Sequence, residues 1–302
     1  MILSRGGPPA SMRFLEAADP IALAALEHVL ERDAQDVRKL LEWLPAAQTR
    51  RDRRAIIARA RDLLAEIEFA IQRIAEVEGG ANLPVSLILA GGEGRRLGRP
   101  KGLLSIGQDL AGQRVPMIDL VVDAMRRGGS ERIIMATRDG DSPRPDSHPL
   151  QVDEIVADAD GWTGPQAGLV AGLHRAGDWG SEWVQLAPCD VPFLDPLLLR
   201  VLHSLRTDGV DAIIPVSANG DENLLALVRT QAMLAALQQA RVAGERSVQS
   251  LYTGLHCLRI EGEALSGAGI DEACFHNVNS PEDIEFAEGL MARRRELERG
   301  RR

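Results

Sequence analysis

A glycine-rich stretch over residues 89–101 combines flexible backbone with fixed positive charge. It reads LAGGEGRRLGRPK and contains Gly91, Gly92, Arg96 and Lys101. Glycines allow the backbone to turn sharply and approach a ligand closely, and free backbone amides in such a loop can bind phosphate oxygens. The two basic side chains would neutralise the charge of a triphosphate. Because the stretch lacks the spacing of a dinucleotide fingerprint and of a P-loop, it indicates another class of phosphate site.

Further candidate ligands follow other apolar segments of the chain. Asp190 comes shortly after the run 183–186, within the stretch APCDVPFL, whose two prolines restrict the backbone. A carboxylate there is suited to bind Mg²⁺ through oxygen, although an isolated Asp-x-Pro is more often a turn or helix cap. Asn277 and Asn279 are two residues apart, so in an extended segment both amides would face one side. Residues 280–283, SPED, predict a helix start.

The elements that must position these residues alternate between strands and helices from residue 83 onward. The candidate strands are short apolar runs at residues 85–90, 132–136, 183–186, 212–216 and 224–228. Such runs, with helix-like stretches between several of them, predict an α/β fold with a mainly parallel sheet covered by helices on both faces. Ligands of these sheets bind beyond the carboxyl ends of the strands, where the glycine-rich stretch and Asp190 lie.

The first 80 residues follow a helical pattern instead. Apolar residues recur three or four positions apart from Leu23 to Leu44 and again from Ile56 to Val77. The pattern predicts an N-terminal helical hairpin over residues 1–80, an α/β domain over 83–290 and a charged tail over 291–302. The apolar faces of the hairpin must be buried, either on the larger domain or in a contact with a partner or a second copy of the chain.

The composition argues against several classes of protein. A net charge of −9 and an aromatic content of 3% are unlike a nucleic-acid binder. The three cysteines lack disulfide or zinc spacing, and the six histidines are scattered among different elements. No apolar run reaches the roughly 20 residues of a membrane span, and the N-terminus lacks the apolar core of a secretion signal. We therefore expect a cytoplasmic protein that binds neither nucleic acid nor a membrane.

The glycine-rich stretch resembles the L-A-G-G-x-S-x-R-x-G-x-x-K motif of the molybdenum cofactor guanylyltransferases. Gly94 stands where that family usually has Ser, and Leu97 where Met is common. Further similar stretches follow in family order between residues 83 and 290. They are VAD over 156–158, GPQAGL over 164–169 with Gln166 in place of Leu, CDVPFL over 189–194, NLLAL over 223–227, GERS over 244–247 and FHNVNSPED over 275–283.

This resemblance implies a fold and a reaction. The fold is a three-layer, Rossmann-like nucleotidyltransferase sheet, to which the N-terminal helical hairpin is added. The reaction is transfer of GMP from GTP to molybdopterin or its molybdenum-loaded form, with release of pyrophosphate. The Gly91-Gly92 pair resembles the guanine-using branch, whereas related cytidylyltransferases tend to have Ala-Gly there. The alternatives are cytidylyl transfer, another acceptor such as a sugar or polyol phosphate, and a non-catalytic chaperone that binds the cofactor.

The resemblance also implies roles for individual residues. Lys101 and Arg96 would neutralise charge at the reacting phosphates, and Asp190 would bind the Mg²⁺ cofactor. Asn277 and Asn279 would lie on the pterin or metal side of the cleft. The residues expected to contact the nucleotide are Leu89, Ala90, Gly91, Gly92, Lys101, Asp158 and Gly164.

Overall fold

The structure is a computed structural model that describes residues 32–41, 49–78, 85–91, 103–108, 114–142 and 150–299. These ranges include most of the predicted α/β domain and much of the predicted hairpin. The predictions for Gly92, Arg96 and Lys101 concern residues that lie outside them.

A mostly parallel sheet forms the centre of the described molecule. The strands are β1 (Val85–Leu89), β2 (Ser105–Gln108), β3 (Arg114–Pro116), β4 (Ile133–Thr137), β5 (Glu154–Ala157), β6 (Trp183–Pro188), β7 (Ala212–Ser217), β8 (Gly220–Asp221), β9 (Leu227–Arg229) and β10 (Cys257–Ile260). The large sheet has the order β10-β7-β9-β6-β1-β4-β5, with β8 paired to β7. Within it, β9 runs antiparallel to β6 and β7, and β8 antiparallel to β7, whereas the other pairs are parallel.

Helices cover both faces of this sheet. They are α1 (described over residues 32–41), α2 (Arg50–Glu78), α3 (Met117–Arg127), α4 (Pro165–Asp178), α5 (Pro196–Ser204), α6 (Thr230–Ala243), α7 (Gly262–Gly267) and α8 (Pro281–Arg299). Helix α8 continues past residue 290, where the charged tail was predicted to begin. None of the helices in the described ranges is long and apolar enough to cross a lipid bilayer.

Alternate residues of β1 face opposite layers of helices. Leu87 packs in one buried cluster with Leu173 of α4, whereas Ile88 packs in another with Val121 of α3 and Leu198 of α5. This alternation follows from the two-residue repeat of a strand. The result is a sheet between two helical layers, so the predicted α/β fold is confirmed.

One predicted strand is shorter than its apolar run. The run 224–228 becomes β9 only from Leu227, because Leu224 and Leu225 lie in a turn closed by the bond from the Leu225 amide to the Glu222 carbonyl at 2.9 Å. The buried side-chain amide of Gln185 donates to the Leu225 carbonyl at 2.9 Å and holds the turn against β6. Apolar character alone did not separate the turn from the strand.

The described N-terminal helices share the core of the α/β domain. Buried residues of α1 and α2, such as Val37 and Leu64, belong to one cluster with Leu198 and Leu202 of α5 and Leu265 of α7. Of the two alternatives for the apolar faces of the hairpin, the structure therefore shows docking on the larger domain. A contact with a partner or a second copy of the chain stays a prediction.

A separate small cluster joins three regions of the chain. Strands β2 and β3 pair as an antiparallel hairpin. Ile106 of this hairpin lies in one buried cluster with residues from other places in the chain. They are Met117 at the start of α3, Phe193 and Val278 in loops, and Ala287 of α8. The cluster thus connects the segment after the glycine-rich stretch to the segment that follows Asp190 and to the one that carries the two asparagines.

Leu64 provides a test of whether α2 belongs to the main core. Its side chain is fully buried in the shared cluster. Replacing Leu64 with Ala removes buried apolar atoms and leaves a cavity, so we expect the free energy of unfolding to fall by about 2–5 kcal/mol. Urea denaturation followed by circular dichroism measures this change. Val242→Ala is the control because Val242 is 83% exposed, and a loss for Leu64→Ala no larger than for this control would contradict the shared core.

Candidate functional site

A cleft of about 470 Å³ opens at the carboxyl ends of the parallel strands. The ends of β1, β4, β5 and β6 supply Leu89, Arg138, Asp158 and Asp190, and the start of α4 supplies Gly164. The remaining lining residues are Gly91, Ala136, Pro165, Gly168, Pro188, Cys189, Asp221, Glu222, Asn223, Leu224, Leu225, Val248, Asn277 and Asn279. This is the position expected for a ligand site in a parallel α/β sheet.

Residues expected to act together come from distant parts of the chain and line this one cleft. They are Leu89, Gly91, Asp158, Gly164, Asp190, Asn277 and Asn279. Ala90 is not among the lining residues: its amide donates to the Ala136 carbonyl at 2.8 Å, and its side chain packs on the main core. Because neighbouring residues of an extended chain point to opposite sides, Leu89 and Gly91 face the cleft while Ala90 faces away.

The carboxylate of Asp158 lies between two glycines. A Cβ atom at Gly91 would stand 2.7 Å from Oδ2 of Asp158, and one at Gly168 would stand 3.1 Å from Oδ1. The amide of Asp158 donates to the Thr137 carbonyl at 2.8 Å, which fixes the backbone at this point. Burial raises the pKa of Asp158, and the charge of Arg138 opposes this shift. The carboxylate is therefore held where any larger neighbour would displace it.

Asp190 follows β6 and is tied to two other segments through its backbone. The amide of the preceding Cys189 donates to the Leu89 carbonyl at 3.1 Å, and the Asp190 carbonyl accepts from the Val278 amide at 2.9 Å. Asp190 is only 8% exposed, yet it lines the cleft. These bonds set Asp190 between the end of β1 and the segment 277–279.

Asn277 and Asn279 flank the buried Val278, and both line the cleft. The two-residue spacing therefore places both on the cleft side while Val278 enters the small cluster. Beyond them, the carboxylate of Asp283 accepts from the amides of Asn279 and Ser280 at 2.8 and 2.9 Å, and the Ser280 hydroxyl accepts from the Asp283 amide at 3.2 Å. This capping arrangement starts α8 at Pro281, as the SPED stretch predicts.

Three charged lining residues were not identified from the sequence. Arg138 directly follows β4, so the rule applied to the other strand ends would have found it. Asp221 and Glu222 lie at the β7–β8 hairpin, where Asn219-Gly220 after an apolar run is a turn signal that could have indicated it. Burial raises the pKa of Glu222, and its carboxylate accepts from the Ser217 hydroxyl at 2.6 Å. Asp221 pairs with Arg259 at 2.8 Å.

Gln166 occupies the place where the family pattern has Leu, and its side chain makes specific contacts. It is 3% exposed, and its amide nitrogen donates to the carbonyls of Glu245 and Ser247 at 3.3 and 3.2 Å. The GERS stretch is thereby attached to the start of α4, next to Val248 in the lining. Gly164 precedes this helix with a φ of +61°, a backbone conformation that favours glycine.

A divalent cation in this cleft would depend on few protein ligands. Among the described residues, no group of three His, Cys, Asp or Glu side chains is placed to hold a metal ion. Mg²⁺ is commonly bound through one or two carboxylates together with substrate phosphates and water. The carboxylate of Asp190, at the edge of a cleft large enough for a nucleotide, fits that mode of binding.

Comparison with known proteins adds the family to this geometry. Residues 86–258 match the family described as the MobA-like NTP transferase domain. The chain belongs to this family. It is 32% identical to a molybdenum cofactor guanylyltransferase of Pseudomonas entomophila over 65% of this chain and 93% of the relative. A protein of the same name from Pseudomonas putida is 34% identical, over 66% of this chain and 94% of the relative.

A solved structure supports the same fold. Molybdopterin-guanine dinucleotide biosynthesis protein A of Archaeoglobus fulgidus has a TM-score of 0.56 at 24% identity, covering 69% of this chain and 99% of that protein. The family match over residues 86–258 and the curated relatives confirm the family recognised in the sequence motifs. Asn277 and Asn279 lie beyond residues 86–258 that match the MobA-like domain, yet they line the same cleft.

Gly91 tests the close approach to Asp158 in the MobA-like domain. A methyl group at Gly91 would displace the Asp158 carboxylate, so we expect Gly91→Ala to weaken GTP binding at least tenfold, about 1.4 kcal/mol. Isothermal titration calorimetry measures the affinity. Gly254→Ala is the matched control because a Cβ atom there meets nothing within 4 Å. Equal affinities for the two variants would show that the space beside Asp158 does not limit the nucleotide.

Proposed function

We propose that this chain transfers GMP from GTP to the terminal phosphate of molybdopterin, or of its molybdenum-loaded form, and releases pyrophosphate. The proposal is carried by one observation: Gly91, Asp158, Asp190 and the two asparagines Asn277 and Asn279 line a single cleft of a MobA-like fold. The relatives of P. entomophila and P. putida, both named molybdenum cofactor guanylyltransferases, support the same reaction.

The charges of the described lining indicate how a triphosphate would be bound. Four carboxylates, of Asp158, Asp190, Asp221 and Glu222, face the cleft together with the single guanidinium of Arg138. This set repels an anionic ligand unless further positive charge is supplied. We assign that charge to Mg²⁺ held by Asp190 and to Arg96 and Lys101, whose segment continues directly from Gly91 at the cleft.

The reaction needs no covalent intermediate on the enzyme. An oxygen of the acceptor phosphate forms a bond to the α-phosphorus of GTP while the bond from that phosphorus to the bridging oxygen breaks. Pyrophosphate leaves with the bonding electrons. When bound, Mg²⁺ supplies positive charge that polarises the phosphate oxygens.

The protein's contribution to this step is to place groups and neutralise charge. The backbone bonds of Cys189 and Asp190 hold the backbone of Asp190 beside the end of β1 and the segment 277–279. Asn277 and Asn279 present two amides, which donate to the oxygens of the acceptor. Arg96 and Lys101 stabilise the charge on the departing pyrophosphate.

Gly91 also bears on the choice of base. A methyl group at Gly91 would press on the Asp158 carboxylate, so the Ala-Gly sequence of the related cytidylyltransferases would give this part of the cleft a different shape. This supports GTP as the donor.

Asp190 is the residue on which the proposed metal site depends. Asp190→Asn keeps the size of this buried side chain but removes its charge, so we expect pyrophosphate release from GTP, Mg²⁺ and molybdopterin to fall by roughly 10²–10³-fold, comparable to the loss of one key electrostatic group. A coupled pyrophosphate assay measures the rate. Asp160→Asn is the control, because Asp160 is exposed and close to Asp158 in sequence but outside the lining.

Two results would contradict this assignment. If Asp190→Asn keeps the rate of the Asp160→Asn control, Asp190 does not hold the metal. If the unmodified chain binds GTP and molybdopterin without releasing pyrophosphate, it acts as a cofactor-binding chaperone and not as a transferase.

The choice of nucleotide is tested by direct binding. Calorimetric titration of the full chain with GTP and with CTP, each in the presence of Mg²⁺, should give at least tenfold tighter binding of GTP, about 1.4 kcal/mol. Equal affinity, or tighter binding of CTP, would overturn the assignment of GTP while leaving the nucleotidyl transfer intact.

A further inference from the structure

A second cavity, of about 510 Å³, lies at the opposite end of the sheet from the nucleotide cleft. Glu182 and Trp183 at the start of β6 line it, together with Arg229 at the end of the antiparallel β9. The cleft lies at the other end of β6, five residues away and therefore roughly 17 Å along the strand. We call this second site the basic cavity; its other lining residues are Gln35, Arg38, His203, Ser204, Arg206, Thr207 and Asp208.

One wall of the basic cavity comes from outside the matched family domain. Gln35 and Arg38 belong to α1, which precedes residues 86–258. Arg38 is only 8% exposed, and its guanidinium donates to the carbonyls of Leu205 and Arg206 at 2.7 and 2.5 Å. These are the carbonyls at the carboxyl end of α5, so Arg38 covers the negative end of that helix. The cavity as described requires the docked N-terminal helix.

The charges around the basic cavity favour an anion. Three guanidinium groups, of Arg38, Arg206 and Arg229, face it against the carboxylates of Glu182 and Asp208. Glu182 is already paired with Arg229. Helix α6 begins directly after Arg229, so its positive amino end is also at this site.

The charge of Arg206 at the basic cavity has no carboxylate partner among the described residues, and burial lowers the pKa of this side chain. His203 beside it is 4% exposed, and its two ring nitrogens are shielded from solvent, so they do not open onto the cavity. Burial and the charge of Arg206 lower the pKa of His203 to about 3, so the ring is neutral at pH 7 and adds no charge at the cavity. Nε of Arg206 donates to the His203 carbonyl at 2.8 Å, and in the same described ranges its two Nη groups have no partner.

Polar groups that are buried without partners are costly, and each one in a native protein needs an explanation. The half-buried guanidinium of Arg206 faces the cavity without a carboxylate partner among the described residues, and a ligand that accepts its hydrogen bonds would explain it. An oxyanion accepts several such bonds and complements the excess positive charge. An uncharged ligand would leave the charge of Arg206 uncompensated.

We propose that the basic cavity binds a phosphate-type oxyanion, with Arg206 as the main donor, at a site distinct from the nucleotide cleft. The ligand is either free inorganic phosphate or the phosphate group of a small phosphomonoester. Because Arg38 of α1 forms part of the wall, binding there stabilises the docked position of the N-terminal helices. Occupancy by any ligand that binds only the folded state also raises the stability of the chain.

Calorimetry of the full chain with inorganic phosphate, without nucleotide or metal, tests the proposal. We expect one phosphate per chain, with binding at least tenfold weaker in Arg206→Gln. The matched control is Arg138→Gln, which removes the guanidinium that lines the nucleotide cleft and should leave phosphate binding unchanged. A parallel titration with glycerol 3-phosphate distinguishes free phosphate from a phosphomonoester, because the preferred source binds more tightly.

A second variant keeps the test informative if Arg206→Gln fails to fold. Asp208 is an exposed lining residue, so Asp208→Asn removes a repelling charge without disturbing the core, and phosphate should bind about threefold more tightly. The proposal is overturned by absence of phosphate binding to the unmodified chain. It is also overturned if Arg138→Gln abolishes binding that Arg206→Gln retains, or if neither Arg206→Gln nor Asp208→Asn changes the affinity.

Discussion

Backbone hydrogen bonds at the carboxyl edge of the sheet set the spacing of the candidate active site. The amide of Cys189 donates to the Leu89 carbonyl, and the Asp190 carbonyl accepts from the Val278 amide. These two bonds join the end of β1, the turn after β6 and the segment of the two asparagines. Backbone groups are held more rigidly than the tips of side chains, so the distances across the cleft are determined by the sheet itself. The side chains then supply only charge and hydrogen-bonding capacity.

The Asp158 carboxylate is packed so closely that its charged form is destabilised. The carboxylate lies against Gly91 and Gly168, and its partial burial raises its pKa because the charged form loses contact with water. Arg138, at the end of the neighbouring strand, offsets part of that cost. A carboxylate that is expensive to hold in the folded state is typical of functional sites, where binding geometry takes precedence over stability.

The described N-terminal helices support the elements next to Asp190 and the two asparagines. They pack on α5, which follows the Asp190 turn, and on α7, which precedes the segment of Asn277 and Asn279. Arg38 adds a direct bond to the carboxyl end of α5. The same helix that completes the core thus completes the wall of the basic cavity. Helix α5 begins shortly after Asp190 of the nucleotide cleft, and its last residues line the basic cavity. Packed residues of this helix therefore connect the two sites.

Local sequence patterns determined the strands, the family and the residues at several strand ends. Apolar runs marked β1, β4, β6 and β7 closely, because buried parallel strands need continuous apolar side chains. The spacing of Asn277 and Asn279 indicated that both face one side. The positions of Gly92, Arg96 and Lys101 stay predictions, since they lie outside the described residues.

Other features depended on contacts between distant residues, and only the tertiary structure decided them. The turn at Leu225 depends on Gln185 of another strand, and the orientation of Ala90 away from the cleft depends on its bond to β4. Asp221 and Glu222 reach the cleft because of sheet order, which residue spacing does not encode. The burial of α1 and α2 on the larger domain required a complementary apolar surface on α5 and α7. A periodic pattern shows that a face must be buried, but only the folded chain shows what buries it.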